Sequence, residues 1–318
     1  MTELQLGDTM SAARSLRGRD FLTLLDLTPF EFRYLLRRSW EHKYGLAPKD
    51  PLRGKYVAGI FEKPSTRTRV SISVATFDLG GVFIELPISN LQISRGESIR
   101  DTAEVLSRFV HAIAARVKLH STLEELAMWA KVPVINLLSD KFHPLQALAD
   151  VFTIQEFFGD RKVKVAFLGD GSANTNHSLM IASALMGYDY YVGAPKDYWP
   201  STDIVNKVKE IMERTGGSLT ITEDPFEAVK GVDVIYTDTW KSMGVEDVEK
   251  RMQILPPYQV NSKLLSKASP QVKVMHCQPW YIGEEITEDV AYGEHSIAFE
   301  QAENRLHTAK AVLEALLS

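Results

Sequence analysis

Short apolar runs that fit buried strands recur along the chain, and between them the apolar residues shift to helical spacing; this alternation limits the fold more than any other feature. Tyr56–Phe61, Val82–Glu85, Ala112–Arg116 and Val134–Asn136 read as strands, with a helix over Arg67–Leu79. A second series follows a helix near Pro144–Phe158. Its strands are Lys164–Leu168, Tyr188–Gly193, Leu219–Thr222, Val232–Thr237 and Val272–His276, separated by helical runs such as Ile204–Arg214. Strands alternating with helices pair in parallel through helical crossovers. With 318 residues there is enough chain for two domains. The expected fold is therefore α/β, with two doubly wound parallel-sheet domains and a ligand site in the cleft between them, beyond the carboxyl ends of the strands. The last helix, about Gln301–Leu317, follows the second series and is expected to pack back on the first domain. The domains are then residues 1–145 plus 300–318 and residues 146–299.

Composition removes several functions. A formal net charge of -5 gives no field that would gather nucleic acid or an anionic membrane. The apolar runs fall far short of the roughly 20 residues that span a bilayer. The N-terminal stretch lacks the basic region and apolar core of a secretion signal, so a cytoplasmic location is expected. Cys277 is the one cysteine, which rules out an intramolecular disulfide and argues against a thiolate zinc site.

Chemistry concentrates in a few segments. Directly after the strand Val57–Phe61 comes Glu62-Lys63-Pro64-Ser65-Thr66-Arg67-Thr68-Arg69, a loop that opens a helix. Free N–H groups at a helix start, the hydroxyls of Ser65, Thr66 and Thr68, and the Arg67 guanidinium suit a phosphate. The same spacing also fits a capped helix with solvated arginines. In His143-Pro144-Leu145-Gln146-Ala147-Leu148-Ala149-Asp150, Pro144 suits the first helical position and leaves His143 at the loop edge. Gln146 lies on the same helical face and offers a donor and an acceptor, as an amide-like substrate requires. Alone, a His-Pro pair more often serves capping and packing, and Arg116 at a strand end equally fits a surface arginine. The loop Gly169-Asp170-Gly171-Ser172-Ala173-Asn174 lacks the three-glycine spacing of a dinucleotide site.

Ser65-Thr66-Arg67-Thr68-Arg69, His143 through Asp150 and Asp238-Thr239-Trp240-Lys241-Ser242-Met243-Gly244 together resemble the signatures of the aspartate and ornithine carbamoyltransferases, and the resemblance covers nearly the whole chain. The first two segments imply carbamoyl phosphate as substrate. The Ser-Met-Gly block is similar to the ornithine branch, as are His276-Cys277-Gln278-Pro279 and Ala302-Glu303-Asn304-Arg305. The resemblance implies transfer of the carbamoyl group to the side-chain amine of L-ornithine, giving citrulline and phosphate, with no metal or organic cofactor.

Carried over to this sequence, Ser65, Thr66, Arg67 and Thr68 would hold the phosphate, Arg116 and His143 would approach the carbonyl oxygen, and Gln146 would hold the carbamoyl NH₂. Arg305 would reach the same ligand, and the main-chain carbonyls of Cys277 and Gln278 would accept from the carbamoyl nitrogen. Asp238, Ser242 and Met243 would take the α-ammonium end of ornithine and Asn174 its α-carboxylate. Gln92 would serve the site of a neighbouring subunit in a homotrimer or a multiple of one. Arg67, Arg116, His143 and Cys277 would be the catalytic groups.

Three positions depart from the ornithine pattern: Gln278 stands for leucine, Pro64 for a small polar residue and Lys241 for an apolar one. Lys241 is expected to point to solvent rather than to add a positive charge near the acceptor's carboxylate. The competing functions are a sister transferase acting on putrescine or an acylated ornithine, a nucleotide-binding oxidoreductase, and a catalytically silent subunit. Asp238 with Ser242-Met243 argues against the first, the missing glycines against the second, and the intact Arg67, Arg116, His143, Gln146 and Arg305 set against the third.

Overall fold

A computed structural model describes residues 11–241 and 247–318. Within it, the apolar runs pair into two separate, wholly parallel sheets. The chain divides into two compact units. One holds the described residues up to Phe152 together with Asn304–Ser318, and the other is Thr153–Glu303.

The first unit contains β1 (Tyr56–Phe61), β2 (Val82–Pro87), β3 (Ala112–Arg116) and β4 (Val134–Leu138) in the order β2-β1-β3-β4. Its helices are α1 (Pro29–Lys43), α2 (Thr66–Asp78), α3 (Ile99–Leu106), α4 (His120–Trp129) and α5 (Pro144–Phe158), which runs on into the second unit. From Val57 onward every residue of β1 is buried, as a central parallel strand covered on both faces should be. Ala58, Ile60, Ile113, Ala115, Leu123 and Val134 form the core beneath α3 and α4. Each such aliphatic side chain larger than alanine contributes about 1.5–3 kcal/mol when fully buried. β2 is the edge strand and runs to Pro87, which an edge tolerates because no neighbour needs its missing N–H. α1 opens on a capping box: Thr28 accepts from Glu31 N–H, and the Glu31 carboxylate accepts from Thr28 N–H at 2.8 Å. The C-terminal helix, Ala298–Leu317, contributes its last turns to this unit. There Glu314 receives Arg38 Nη2 at 2.6 Å and lies 2.6 Å from His42 Nε2.

The second unit contains β5 (Lys164–Leu168), β6 (Asp189–Gly193), β7 (Ser218–Thr222), β8 (Val234–Thr237) and β9 (Lys273–His276), in the order β7-β6-β5-β8-β9. Its helices are α6 (Asn174–Met186), α7 (Thr202–Thr215), α8 (Pro225–Val229), α9 (Val248–Ile254), α10 (Ser262–Leu265) and α11 (Glu288–Ala291), followed by the start of the C-terminal helix. One core cluster includes Leu168, Ile235, Val260, Val274 and Ile286; a second gathers Tyr198, Leu255 and Tyr258 around the buried Trp240. β8 starts two residues later than expected because Val232 is buried in a turn, its N–H donating to Val229. No helix among the described residues is long and apolar enough to cross a membrane.

Strand order fixes where ligands can sit. In the first sheet the connections diverge between β1 and β3, and in the second between β5 and β8. A crevice opens at such a switch point, beyond the carboxyl ends of the diverging strands. The four segments at these ends are residues 62–68, Arg116 onward, residues 169–174 and Asp238 onward.

Candidate active site

At the switch point of the first unit, α2 begins on Ser65, whose side chain makes no capping bond, and the first turn holds no acidic residue. The leading N–H groups and the positive end of the helix dipole are thus free to meet an anion. The loop is held by Glu62, which donates its N–H to Arg116 O and receives Lys118 N–H at 2.6 Å on its carboxylate. Ser65 and Arg67 are partly buried and Thr66 is exposed; Arg67 makes no ion pair among the described residues. Thr68 is buried, and its hydroxyl oxygen receives Arg305 Nη2 at 2.6 Å and Arg116 Nη1 at 3.5 Å. Arg69 turns away, paired with Glu85 at 2.8 Å over the Phe61 ring.

His143 directly precedes α5 and is 3% exposed. Burial, then the charges of Arg305 and Arg116, push its pKa well below that of a free imidazole. It is therefore neutral near pH 7 and has one ring N–H to donate. Gln146 is buried beside it on α5, and its amide nitrogen donates to Asp150 Oδ1 at 2.8 Å. That bond fixes the amide orientation and leaves Gln146 Oε1 a buried acceptor without a hydrogen-bond partner. Such an acceptor costs about 1–3 kcal/mol unless a donor arrives, as an NH₂ group would.

In the second unit the loop after β5 owes its glycines to packing. Gly169 has φ +109, and a Cβ on Gly171 would stand 2.6 Å from Tyr198 O. Asp170 is occupied by Ser172 N–H, at 3.0 Å, and by Arg251, so its charge is already matched. Asn174 opens α6, whose start again lacks a side-chain cap and a first-turn acid. Across the switch point the buried Asp238 receives Thr239 N–H at 2.8 Å and the Cys277 thiol at 3.1 Å on Oδ1, and the Thr175 hydroxyl at 2.8 Å on Oδ2.

Cys277 follows β9, and Gln278 takes a left-handed φ of +57. Gln278 N–H donates to His276 Nδ1 at 2.8 Å, so that nitrogen is the acceptor and the ring proton is on Nε2, facing Glu285 Oε1 at 3.1 Å. Asp238, His276 and Cys277 bring ligand-type atoms within 4.8 Å of one another. The imidazole, committed at both nitrogens, has no lone pair left for a metal.

Gln92 lies exposed in a 3₁₀ turn of the first unit, Gln92–Arg95. Ser242 and Met243 lie outside the described residues. Lys241 does not point to solvent: its Nζ lies 2.5 Å from Glu284 Oε1 and 5.3 Å from the Tyr281 ring, because a carboxylate and an aromatic face together outcompete water for a half-shielded ammonium.

Two residues escaped the sequence reading. The pKa of Lys63 is lowered by burial, then by the neighbouring charges of Lys118 and Arg116, which marks it as part of the same cationic cluster. Its adjacency to Ser65 was the available signal. Thr175, which fixes one oxygen of Asp238, is 63 residues away in sequence and gave none.

The carbamoyl-phosphate-binding domain of the aspartate/ornithine carbamoyltransferase family matches residues 19–156, and the family's Asp/Orn-binding domain matches residues 161–316. An ornithine carbamoyltransferase of Hyperthermus butylicus is 48% identical over 95% of this chain and 98% of its own length. The solved ornithine carbamoyltransferase of Pyrococcus furiosus superposes with a TM-score of 0.90 at 48% identity, covering 95% of this chain and 98% of that one. The anabolic enzyme of Campylobacter jejuni does so with a TM-score of 0.89 at 39% identity, covering 93% and 97%. With both domains matched in order and relatives this similar over almost its full length, the chain belongs to the aspartate/ornithine carbamoyltransferase family.

Proposed function

We propose that the protein transfers the carbamoyl group of carbamoyl phosphate to the side-chain amine of L-ornithine, forming L-citrulline and phosphate. The observation that carries this is the convergence in the first unit of Arg116, Arg305 and Thr68 beside neutral His143 and the unpartnered Gln146 acceptor. Cations and hydroxyls match a phosphate, and an imidazole donor with an amide acceptor matches a carbamoyl group. Ornithine as acceptor is supported by the relatives and by Asp238, a buried carboxylate suited to an ammonium.

The first unit, with α2, Arg116, His143, Gln146 and Arg305, is the carbamoyl phosphate domain, and the second, with Asn174 and Asp238, is the ornithine domain. The open N–H groups of α2 and Ser65, Thr66, Arg67 and Thr68 hold the phosphate. Those of α6, with Asn174, take the α-carboxylate. Cys277 and Gln278 accept from the carbamoyl nitrogen through their carbonyls, and Ser242 and Met243 complete the acceptor end.

An alkyl amine of pKa near 10.4 is neutral in about one molecule in a thousand at pH 7.5, a deficit of roughly 4 kcal/mol that the site must offset. The Cys277 thiol, committed to Asp238, marks where that amine is desolvated. Its lone pair attacks the carbamoyl carbon, and the carbonyl oxygen gathers charge stabilised by Arg67, Arg116 and the His143 N–H. The bond to the phosphate oxygen then breaks, and the departing phosphate takes the amine proton.

We further propose a homotrimer or a multiple of one, acting in the cytoplasm. Support for assembly comes from the outer edge of β2, which meets no strand among the described residues, and from Val70, Val74 and Phe77, an exposed apolar stripe on α2 in which Phe77 is 78% exposed. An open edge strand beside an apolar stripe is a surface that proteins normally cover. Gln92 is then available to the site of a neighbouring copy. A ureido-product assay with ornithine set against putrescine, N-acetylornithine, lysine and aspartate tests the proposed reaction.

A further inference from the structure

The ion pair between Lys241 and Glu284 joins the segment that follows Asp238 to the turn that follows Cys277, and the chemistry above does not use it. Lys241 lies in the turn that follows Asp238: its N–H donates to Thr239 Oγ1 at 3.1 Å, and the intervening Trp240 is buried. Glu284 belongs to the turn after Cys277. Its N–H donates to Tyr281 O at 3.0 Å, and its own carbonyl receives Gln259 Nε2 at 2.9 Å. Tyr281 N–H in turn donates to Glu285 Oε1 at 2.6 Å, and Glu285 faces the imidazole that holds Gln278 N–H. The Cys277–Asp238 hydrogen bond and the Lys241–Glu284 pair thus link the segment after β8 twice to the chain after β9, once at Cys277 and once at the turn around Glu284, which Glu285 ties back to His276.

We propose that Lys241 and Glu284 are positioning residues that hold the segment carrying Asp238 against the turn around Glu284, which is tied through Glu285 and His276 to Cys277, and so set the spacing between the carboxylate and the thiol that receive the acceptor. This rests on the assignment of the second unit to the acceptor. The side chains of Lys241 and Glu284 keep 31% and 23% of their exposure. A pair that is still partly reached by water adds little to global stability. Breaking this one therefore shows in acceptor binding and thiol access rather than in melting.

The test compares the full-length wild type with Lys241→Met, Glu284→Gln, Lys241→Arg and the reversed pair Lys241→Glu with Glu284→Lys. Steady-state constants are measured for both substrates, together with the rate of Cys277 alkylation by iodoacetamide, which reports one site because Cys277 is the one cysteine. Lys241→Met and Glu284→Gln are expected to raise the ornithine KM about five- to tenfold and the alkylation rate to a similar degree, with the carbamoyl phosphate KM and the melting temperature nearly unchanged. Lys241→Arg keeps the pair and stays within about twofold of wild type, and the reversed pair recovers part of each single loss. Both single variants within about twofold of wild type in ornithine KM and alkylation rate overturn the proposal, as does an equal loss for both substrates with a lowered melting temperature. A wild type that makes no citrulline refutes the acceptor assignment instead, and the alkylation rates then decide the role of the pair.

Discussion

Arg305 Nη2 donates to Thr68 Oγ1 at 2.6 Å, which brings the C-terminal helix to the first turns of α2 from 237 residues away. The contact places a second guanidinium beside Arg116 at a helix start that has no acidic residue. An anion is the natural third party to such a cluster.

Arg67→Ala is expected to abolish measurable binding of carbamoyl phosphate, and Arg305→Met to weaken it about 100-fold, since losing one buried charged contact costs roughly 2–5 kcal/mol. Calorimetric titration of each variant with carbamoyl phosphate alone checks this. Unchanged affinity in Arg67→Ala removes the phosphate assignment.

The buried neutral His143 makes a pH prediction. Its folded pKa lies well below the ordinary value of 6.5, with burial the main cause. Between that lowered value and 6.5 the unfolded chain binds the proton and the folded chain does not, so stability falls as pH drops below about 6.5 and is fully present above it. The melting temperature of the wild type should therefore decline on acidification from pH 7 to 5 more steeply than that of His143→Gln. Parallel declines would mean that His143 is not held neutral.

The alternation of strand and helix was legible because burial on both faces leaves near-continuous apolar runs such as Val57–Phe61, whereas Val232 shows the limit of that signal: it is buried like a strand residue but sits in a turn. Gln146 could be placed beside His143 from helical spacing alone. That Asp150 would orient its amide could not, since i,i+4 proximity does not say which end of the amide meets the carboxylate. Contacts between distant residues, Arg305 with Thr68 and Thr175 with Asp238, leave no trace in spacing; the family resemblance only assigns Arg305 and Thr68 to one ligand and is silent on Thr175. The position of Lys241 is likewise absent from the sequence, where a lysine's usual preference for water points outward and Glu284 and Tyr281 leave no sign of their nearness.

Asp238→Ala removes the acceptor for the Thr175, Thr239 and Cys277 donors and, on the proposed division of roles, the partner of the ornithine ammonium. The ornithine kcat/KM should fall at least about 100-fold while carbamoyl phosphate affinity stays within about threefold. An equal loss for both substrates would contradict that division.

Phe77→Glu places a charge in the exposed stripe formed with Val70 and Val74. It should shift the protein from trimer to monomer in light scattering and remove activity together with assembly, because Gln92 acts across subunits in the proposed arrangement. A fully active monomer would refute the shared site.

The most direct measurement is the colorimetric assay for ureido products on the purified full-length protein, supplied with carbamoyl phosphate and, in parallel, ornithine, putrescine, N-acetylornithine, lysine or aspartate. The account predicts citrulline from ornithine at a rate well above every other product, with Gln278 and Lys241 both compatible with that acceptor. A faster reaction with another amine would contradict the acceptor assignment, and no reaction with any of them would contradict the proposed activity itself.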